Sequence, residues 1–305
     1  MTDYGHELLF GTFVTPRSRD PQRVLELAVT ADRVGLDLVT FQDHPYQPAL
    51  LDTWTLLAYA AARTEHVHLS GNVLNLPLRP PAVLARAAAS LDILSGGRFE
   101  LGLGAGAFWE GVAAMGGRRL TAGQGVEALR EGIEIIREIW DAGQPGGVRV
   151  DGDYYRSVGA KRGPQPAHDI GIWLGAYKPK MLALTGAVAD GWLPTIEYLE
   201  DGTASLPALN ARIDDAAVAA GRSPSDVRRL LNIMNVGFDS TAGGILGGPP
   251  ARWIDNLVDL ALTHGITAVL IGGDDVATTE RFAAEVAPAV RETVASERAR
   301  RLSHP

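Results

Sequence analysis

Short apolar segments alternate with longer helical patterns along the whole chain, and this alternation constrains the fold more than any other feature. The predicted strands cover 8–14, 37–41, 67–74, 99–103, 172–175, 191–193, 229–236 and 268–272, and the helices that follow them cover 21–34, 52–63, 81–94, 124–141, 179–188, 206–220, 250–263 and 276–295. Parallel strands need helical crossovers, so repeated strand–helix units indicate a parallel sheet. Eight units in 305 residues favour an α/β fold of the (β/α)8 TIM barrel type, as one domain over 1–305, with an open doubly wound sheet as the alternative.

One segment interrupts the alternation. Residues 143–170 are rich in Gly and Pro and contain a hairpin pattern around Asp151 and Gly152. No long helix fits this segment. It is therefore predicted to be an insertion in the loop after the fourth helix, of a length that is uncommon in compact domains.

Composition excludes several classes of partner and site. The chain has 28 Lys and Arg against 36 Asp and Glu, a net charge of −8, and no basic tract, which argues against nucleic acid and anionic membranes. It has no Cys, which excludes disulfides, thiolate nucleophiles and Cys-ligated clusters. No apolar stretch approaches the roughly 18 residues of a membrane span, and the first residues do not resemble a signal peptide. We therefore expect a cytoplasmic protein.

The loop after the second strand carries Asp43 and His44. The C-terminal ends of barrel strands form the active site in enzymes of this fold, so residues there are the first candidates for function. An imidazole titrates near neutrality and can donate or accept a proton during catalysis. The alternative is that His44 only caps or packs the loop.

Two further strand ends have features of ligand sites. The fourth strand runs into Gly104, Ala105 and Gly106, whose small size lets a backbone approach a planar or phosphorylated ligand, although Ala107 breaks the dinucleotide-binding fingerprint. The fifth strand runs into a turn and a helix start that offer free amides and an ammonium for an anion, or only a plain turn. The residues of this turn are Gly175, Ala176, Tyr177 and Lys178.

An HxH motif at the start of the third strand raises the question of a metal. His66 and His68 could offer two ligands from alternate positions. They lie at the N-terminal face of the predicted barrel, where residues serve stability. The sequence therefore predicts no metal site.

Residues 74–106 resemble the signature region of the bacterial luciferase-like superfamily, and they read LNLPLRPPAVLARAAASLDILSGGRFELGLGAG. The agreement extends to GTF at 11–13, DH at 43–44, the segment 172–194 and the glycines at 272–273, so it covers essentially the whole chain. The resemblance implies a barrel that uses a flavin or deazaflavin, either FMN or coenzyme F420. It also implies a homo-oligomer, most simply a dimer.

The resemblance also implies roles for particular residues. In the deazaflavin-dependent branch, a non-prolyl cis peptide at the end of the third strand lies behind the central ring of the coenzyme, and the matching bond here is Asn72–Val73. The resemblance assigns proton transfer at the ring to His44, with Asp43 beside it. It assigns coenzyme binding to Gly104, Ala105 and Gly106 along the ring, and to Gly175, Ala176, Tyr177, Lys178 and Thr195 at the phosphate.

One departure from the family pattern bears on the substrate. The sugar-phosphate dehydrogenases of this group have an acidic catalytic residue directly after the GxG run, and Ala107 stands in that place here. Glu110 is too far along the chain to match it. The predicted substrate pocket is instead apolar and aromatic, formed by Phe13, Phe108 and Trp109. A substrate with a carbon–carbon double bond, an imine or a hydrophobic carbonyl is therefore expected.

Three functions remain open at this point. The leading one is hydride transfer between F420 and an apolar organic substrate. The rival is an FMN-dependent monooxygenase that uses reduced flavin and oxygen, and oxygen consumption with reduced FMN separates the two. The third is a non-catalytic flavin-binding protein, which the presence of Asp43, His44 and the glycine loops argues against.

Overall fold

Eight parallel strands close into a barrel in the computed structural model, which describes residues 2–239 and 243–303. The barrel strands are β1 (Leu9–Val14), β2 (Leu38–Phe41), β3 (His68–Gly71), β4 (Phe99–Gly104), β5 (Ile172–Leu174), β6 (Gly191–Trp192), β7 (Arg228–Ile233) and β8 (Ala268–Gly272). Each strand pairs with its neighbours in sequence, and β8 pairs with β1, with Leu9 opposite Ala268. The predicted closed barrel is confirmed, and the open sheet is excluded.

A layer of helices surrounds the barrel. These helices are α1 (Pro21–Arg33), α2 (Thr53–Ala61), α3 (Pro81–Ser95), α4 (Ala122–Trp140), α5 (Pro179–Val188), α6 (Leu206–Ala219), α7 (Pro250–Leu262), α8 (Val276–Arg281) and α9 (Ala287–Ser303), the last two joined by a π-helical turn (Phe282–Val286). Side-chain caps fix several starts: the Asp52 carboxylate accepts a hydrogen bond from Thr55 N at 2.8 Å. No helix among the described residues is long and apolar enough to cross a bilayer.

Successive side chains along each barrel strand point alternately into the barrel and out towards the helices, so the protein has two hydrophobic cores. One buried cluster fills the barrel interior and consists of Phe13, Leu38, Trp173, Leu193, Leu230, Ala268 and Leu270. The larger cluster, which includes Phe10 and Phe41, packs the outward strand faces against the helices. Gly11 faces the interior, where an added Cβ would lie 2.3 Å from the carbonyl oxygen of Leu38. Only glycine fits at that position, because the two strands approach closely.

The predicted hairpin is present in the insertion between α4 and β5. Strands Arg149–Asp151 and Arg156–Val158 pair antiparallel. The buried carboxylate of Glu131, on α4, accepts hydrogen bonds of 2.8–3.0 Å from three successive turn amides, those of Asp153, Tyr154 and Tyr155. A buried charge that receives three hydrogen bonds is well compensated. The hairpin is therefore fastened to the barrel's helical layer.

The sequence-based prediction missed several short helices and strands. A six-residue helix, Trp109–Ala114, lies between β4 and α4, where a loop was expected. Six residues are too few to show a helical period. The other short elements are the strands Leu74–Asn75, Val236–Gly237 and Leu246–Gly247 and the 3₁₀ turns Leu76–Leu78, Ile196–Tyr198, Gly202–Ser205 and Pro224–Asp226.

Candidate active site

An apolar surface lies at the C-terminal mouth of the barrel, at the end of β3. The Asn72–Val73 peptide is cis, as the resemblance implied. The Val73 side chain packs on the barrel-interior cluster. A Cβ added at Gly104 would lie 2.9 Å from Val73 Cγ2, and one added at Gly175 would lie 3.3 Å from it. Val73 and the two glycines therefore form one continuous surface without projecting side chains from β4 and β5.

Four polar side chains form a hydrogen-bonded network beside this surface. Asn72 Nδ2 donates to Asn232 Oδ1 at 2.7 Å and to Thr40 Oγ1 at 3.1 Å. Asn232 Nδ2 donates to Asn72 Oδ1 and to Thr195 Oγ1, each at 3.1 Å. Because buried polar groups are costly unless paired, this network fixes the amide planes of both asparagines. Thr40 and Asn232 were missed in the sequence, although each is a polar residue within an apolar strand.

His44 lies at the rim of the mouth, in the loop after β2. Its Nδ1 is 2.9 Å from the hydroxyl oxygen of Tyr46. Its ring meets those of Tyr46 and Phe108 edge-on, with centroids 5.6 Å apart in both cases. Burial lowers the pKa of His44 below its ordinary value, and the Asp43 charge acts in the opposite direction. The imidazole is therefore neutral at pH 7, and its Nε2 makes no hydrogen bond to the described part of the chain.

Asp43, the neighbour of His44 in sequence, forms a buried ion pair. Its carboxylate receives two hydrogen bonds from the Arg79 guanidinium, at 2.6 and 3.0 Å, and a third from Asn75 N at 2.7 Å. The Asp43 side chain is only 1% exposed and that of Arg79 14%. Such bidentate pairs are directional and strong. This arrangement anchors the loop that carries His44, while Asn75 Oδ1 is buried and has no hydrogen-bond partner among the residues that the structure describes.

The segment after β4 places the predicted aromatic residues. Gly106 has a φ of +92°, and a Cβ there would lie 2.9 Å from the indole of Trp109, so the residue must be glycine. Phe108 is 60% exposed and contacts His44 as described. Phe13 is nearly buried and belongs to the barrel-interior cluster. Of the three predicted pocket residues, the structure brings Phe108 to the rim beside His44.

Ala105 and Ala107 complete this segment. The Ala105 side chain is partly buried and packs against the core outside the barrel. Ala107 is exposed and carries no acid–base group. Glu110, the nearest acid in sequence, forms a 2.7 Å ion pair with Arg119, and both side chains are more than half exposed. The carboxylate of Glu110 is thus held by a cation at the surface.

The turn after β5 leads into α5. Tyr177 Oη accepts a hydrogen bond from Thr195 N at 2.9 Å, and the Ala176 carbonyl accepts one from the Trp192 indole at 2.9 Å. Lys178 is the residue before the helix, and its side chain does not cap the first turn. Lys178 and Lys180 are exposed. The Lys180 ammonium lies 3.8 Å from a Cβ added at Gly123, so it is close to the first turn of α4.

Apart from Phe13 in β1 and Gly104 at the end of β4, the predicted residues lie on the loops that follow β2 to β6, at one end of the barrel. These loops supply a neutral imidazole, an apolar surface, buried amide groups and an uncapped helix start with two ammonium groups. Such a set suits a planar ligand with an anionic tail. Tyr46, Asn75 and Arg79 join the site although the sequence did not single them out.

Solved structures share this architecture. The fold matches an F420-dependent secondary alcohol dehydrogenase, solved with an F420–acetone adduct, at a TM-score of 0.81 and 20% identity over 93% of this chain and 99% of that one. It matches a monooxygenase from Streptomyces bottropensis at a TM-score of 0.75 and 20% identity over 92% and 99% of the two chains. At these identities the likeness concerns the fold alone.

Sequence comparison shows which family the chain resembles in sequence as well as in fold. The chain is 32% identical over 224 residues to an F420-dependent glucose-6-phosphate dehydrogenase of Amycolatopsis mediterranei, which covers 70% of this chain. The match spans 64% of that relative's own length. The model of the luciferase-like monooxygenase family matches residues 7–236. Because this match covers three quarters of the chain, the chain belongs to the luciferase-like family.

Proposed function

We propose that this chain is an F420-dependent oxidoreductase that moves a hydride between the coenzyme and an organic substrate. The observation that carries the proposal is the apolar surface of Val73, Gly104 and Gly175 at the end of the barrel where the loop after β2 carries the neutral imidazole of His44. A family relative at 32% identity that is named as F420-dependent supports F420 over FMN. The shared fold by itself does not separate the two coenzymes.

The residues at the mouth fit a flavin-type ring. A planar ring needs a surface free of projecting side chains. At Gly104 and Gly175 no side chain projects beside Val73, so a ring held there would lie against the Val73 side chain. Asn75 Oδ1 is a buried acceptor that finds no partner within 2–239 and 243–303, and a ring N–H is the kind of donor that would satisfy it. The backbone of Gly104 to Gly106 would follow the edge of the ring. The amides and lysines at the start of α5, with Thr195 and Tyr177 behind them, would hold the phosphate.

His44 would carry the proton that accompanies the redox step. When bound, F420 supplies a carbon that accepts or donates the hydride. Oxidation of a hydroxyl to a carbonyl also releases a proton, and the neutral imidazole of His44 would accept it. In the reducing direction the imidazolium would return that proton to the oxygen. Asp43 would position the loop of His44 rather than transfer a proton itself, because Arg79 and Asn75 N already occupy its carboxylate.

The substrate that we propose is apolar, with a carbonyl, imine or carbon–carbon double bond. The relatives that resemble this chain are named for glucose 6-phosphate, a charged sugar. This chain has Ala107 at the position where the resemblance implies an acid for sugar-phosphate dehydrogenases. Phe108 and Tyr46 flank His44 with aromatic rings, which favour an apolar partner. Glu110 is bound to Arg119 at the surface and does not supply the missing acid.

Direct coenzyme titration tests the proposed function. We expect F420 to bind with a micromolar or tighter Kd, measured by the change of its fluorescence on binding, and FMN to bind at least about tenfold more weakly. With F420 saturating, secondary alcohols or cyclic enones should turn over faster than glucose 6-phosphate. Oxygen consumption with reduced FMN in place of F420 turnover would identify the monooxygenase instead. Absence of binding by both coenzymes would favour a non-catalytic protein.

Removing two lysines tests the placement of the coenzyme phosphate. Lys178 and Lys180 are two of the chain's three lysines, in a protein of net charge −8 whose overall field opposes an anion. A charge-assisted contact contributes about 1.5–3 kcal/mol. The double variant Lys178→Ala/Lys180→Ala should therefore bind F420 roughly ten- to hundredfold more weakly, with a smaller salt dependence, in a fluorescence titration. Lys161→Ala, which removes the third lysine from the insertion, should bind like the parent protein. Equal affinity of the double variant at low salt would place the phosphate elsewhere.

A further inference from the structure

A second cluster of chemically active side chains lies at the opposite, N-terminal end of the barrel. His68 is the first residue of β3, and Glu100 is the second residue of β4. In the strand register His68 is level with Leu38 and Glu100 with Ser70, so both side chains face the barrel interior. His168, at the end of the insertion, covers them, with its ring centroid 5.9 Å from that of His68 and nearly perpendicular to it.

The spacing of three ligand atoms in this cluster is that of a metal site. Glu100 Oε1 is 3.4 Å from His68 Nδ1 and 3.3 Å from His168 Nε2. A charge-assisted hydrogen bond between such groups is shorter, about 2.7–2.9 Å. Two ligands that each lie about 2.05 Å from a tetrahedral Zn²⁺ are separated by about 3.3 Å. One ligand atom from each of the three residues lies within 4.8 Å of the others.

The outer contacts of these residues orient the ligand atoms toward a common point. His168 Nδ1 is 2.7 Å from the fully buried carboxylate of Asp92, which also accepts a hydrogen bond from Ala167 N. A proton on Nδ1 leaves the lone pair of Nε2 free to face Glu100. The other Glu100 oxygen accepts a hydrogen bond from Gly171 N at 2.7 Å. Histidine ligands of metals characteristically have such a carboxylate partner on their second nitrogen.

We propose that His68 Nδ1, Glu100 Oε1 and His168 Nε2 bind a divalent transition metal ion of the Zn²⁺ type, with water as a fourth ligand. The side chains of His68 and His168 are 37% and 28% exposed, which gives an ion and a water molecule access. Imidazole nitrogen and one carboxylate suit Zn²⁺ better than Mg²⁺ or Ca²⁺. The ion joins the end of the insertion to β3 and β4, at the barrel face where residues serve stability.

The sequence alone did not predict this cluster as a metal site, and at the HxH motif it predicted no metal. His66 of that motif is exposed and lies outside the cluster. The partners of His68 come instead from β4 and from a residue 100 positions later in the insertion. No short spacing connects them, so only the folded chain brings the three groups together.

A proton is the competing occupant. In the metal-free protein the hydrogen bond to Glu100, together with the charges of Glu100 and Asp92, raises the pKa of His168 to about 9. A metal ion must displace that proton. Arg228, whose guanidinium donates to the Glu7 carbonyl, also acts electrostatically on Glu100. Two carboxylates, Asp92 and Glu100, offset this cation and favour a divalent ion.

Metal binding by the full-length protein tests the proposal. After treatment with a chelator and its removal, the parent protein should bind one equivalent of Zn²⁺ with a micromolar or tighter Kd by calorimetry. Its Tm should rise in excess Zn²⁺, because an ion that binds only the folded state stabilises it. Co²⁺ should give the intense visible absorption of a tetrahedral site. His68→Ala and His168→Gln should each weaken Zn²⁺ binding at least tenfold and abolish the rise in Tm.

His66→Ala is the matched control, because it removes the exposed histidine two residues away and should keep both Zn²⁺ binding and the shift in Tm. Zn²⁺ binding that survives His68→Ala, or that is lost equally in His66→Ala, would overturn the assignment in favour of surface histidines. An unchanged Tm of the parent protein with no heat of Zn²⁺ binding would show that the cluster holds only a proton. Both readouts are independent of coenzyme and turnover, so they do not depend on the proposed function.

Discussion

Replacing His44 by alanine is expected to lower kcat by about 10²–10⁴-fold while coenzyme affinity changes little. Burial keeps the pKa of His44 low, so the imidazole is ready to accept a proton at pH 7. The apolar surface around Val73 and the lysines at α5 do not include His44, and coenzyme binding should persist. Steady-state kinetics at saturating F420, with a fluorescence titration of the same variant, measures both quantities. Turnover equal to that of the parent would reduce His44 to a packing residue.

Tyr46→Phe is the graded control for this variant. It keeps the aromatic ring beside His44 and Phe108 but removes the hydroxyl that lies 2.9 Å from His44 Nδ1. Because the hydroxyl orients the imidazole and does not exchange the proton, kcat should fall less than in His44→Ala. A loss as large as that of His44→Ala would mean that Tyr46 itself takes part in proton transfer.

The pH profile of substrate oxidation gives a separate signature of His44. Its pKa lies below the ordinary 6.5, and the neutral form is the one that accepts a proton. Activity should therefore stay high as the pH falls to about 6.5 and decline only below it. In His44→Ala this acid limb should disappear from the residual activity. An acid limb above pH 6.5 in the parent would contradict the neutral state that we assign to the buried imidazole.

Local patterns were sufficient to predict the barrel. Short apolar runs and helical repeats marked all eight strand–helix units, because burial of the strands on both faces imposes continuous apolar segments such as Ala268 to Ile271. Turn residues marked the insertion and its hairpin. The short helix Trp109–Ala114 was missed because its position depends on Trp109 packing against Gly106 and Gly125. That contact joins segments whose approach is set only when the barrel closes.

The candidate site was predictable in part. The resemblance to the luciferase-like superfamily pointed to His44, Val73 and the glycine loops, because these residues directly follow strands that the apolar runs identify. It could not show that Asp43 turns toward Arg79, 36 residues further along the chain. Nor could it show that Asn232 meets Asn72 across the barrel, 160 residues away. Such contacts depend on closure of the barrel and on the direction of each side chain, and the spacing of residues along one sequence does not reveal either.

Replacing Arg79 by alanine is expected to destabilise the protein by about 3–5 kcal/mol, because it leaves the buried Asp43 carboxylate without its cation. The Asn75 N–H would remain as a single hydrogen-bond donor to that carboxylate. Denaturant unfolding, followed by far-UV circular dichroism, measures the change in the free energy of unfolding. The matched control is Arg119→Ala, which removes the same side chain from an exposed pair with Glu110 and should cost about 0–1 kcal/mol. The double variant Asp43→Asn/Arg79→Ala should recover part of the loss, because the uncompensated charge is then gone. If Arg79→Ala unfolds at the same denaturant concentration as Arg119→Ala, the pair does not anchor the loop of His44, and the positioning role of Asp43 is wrong.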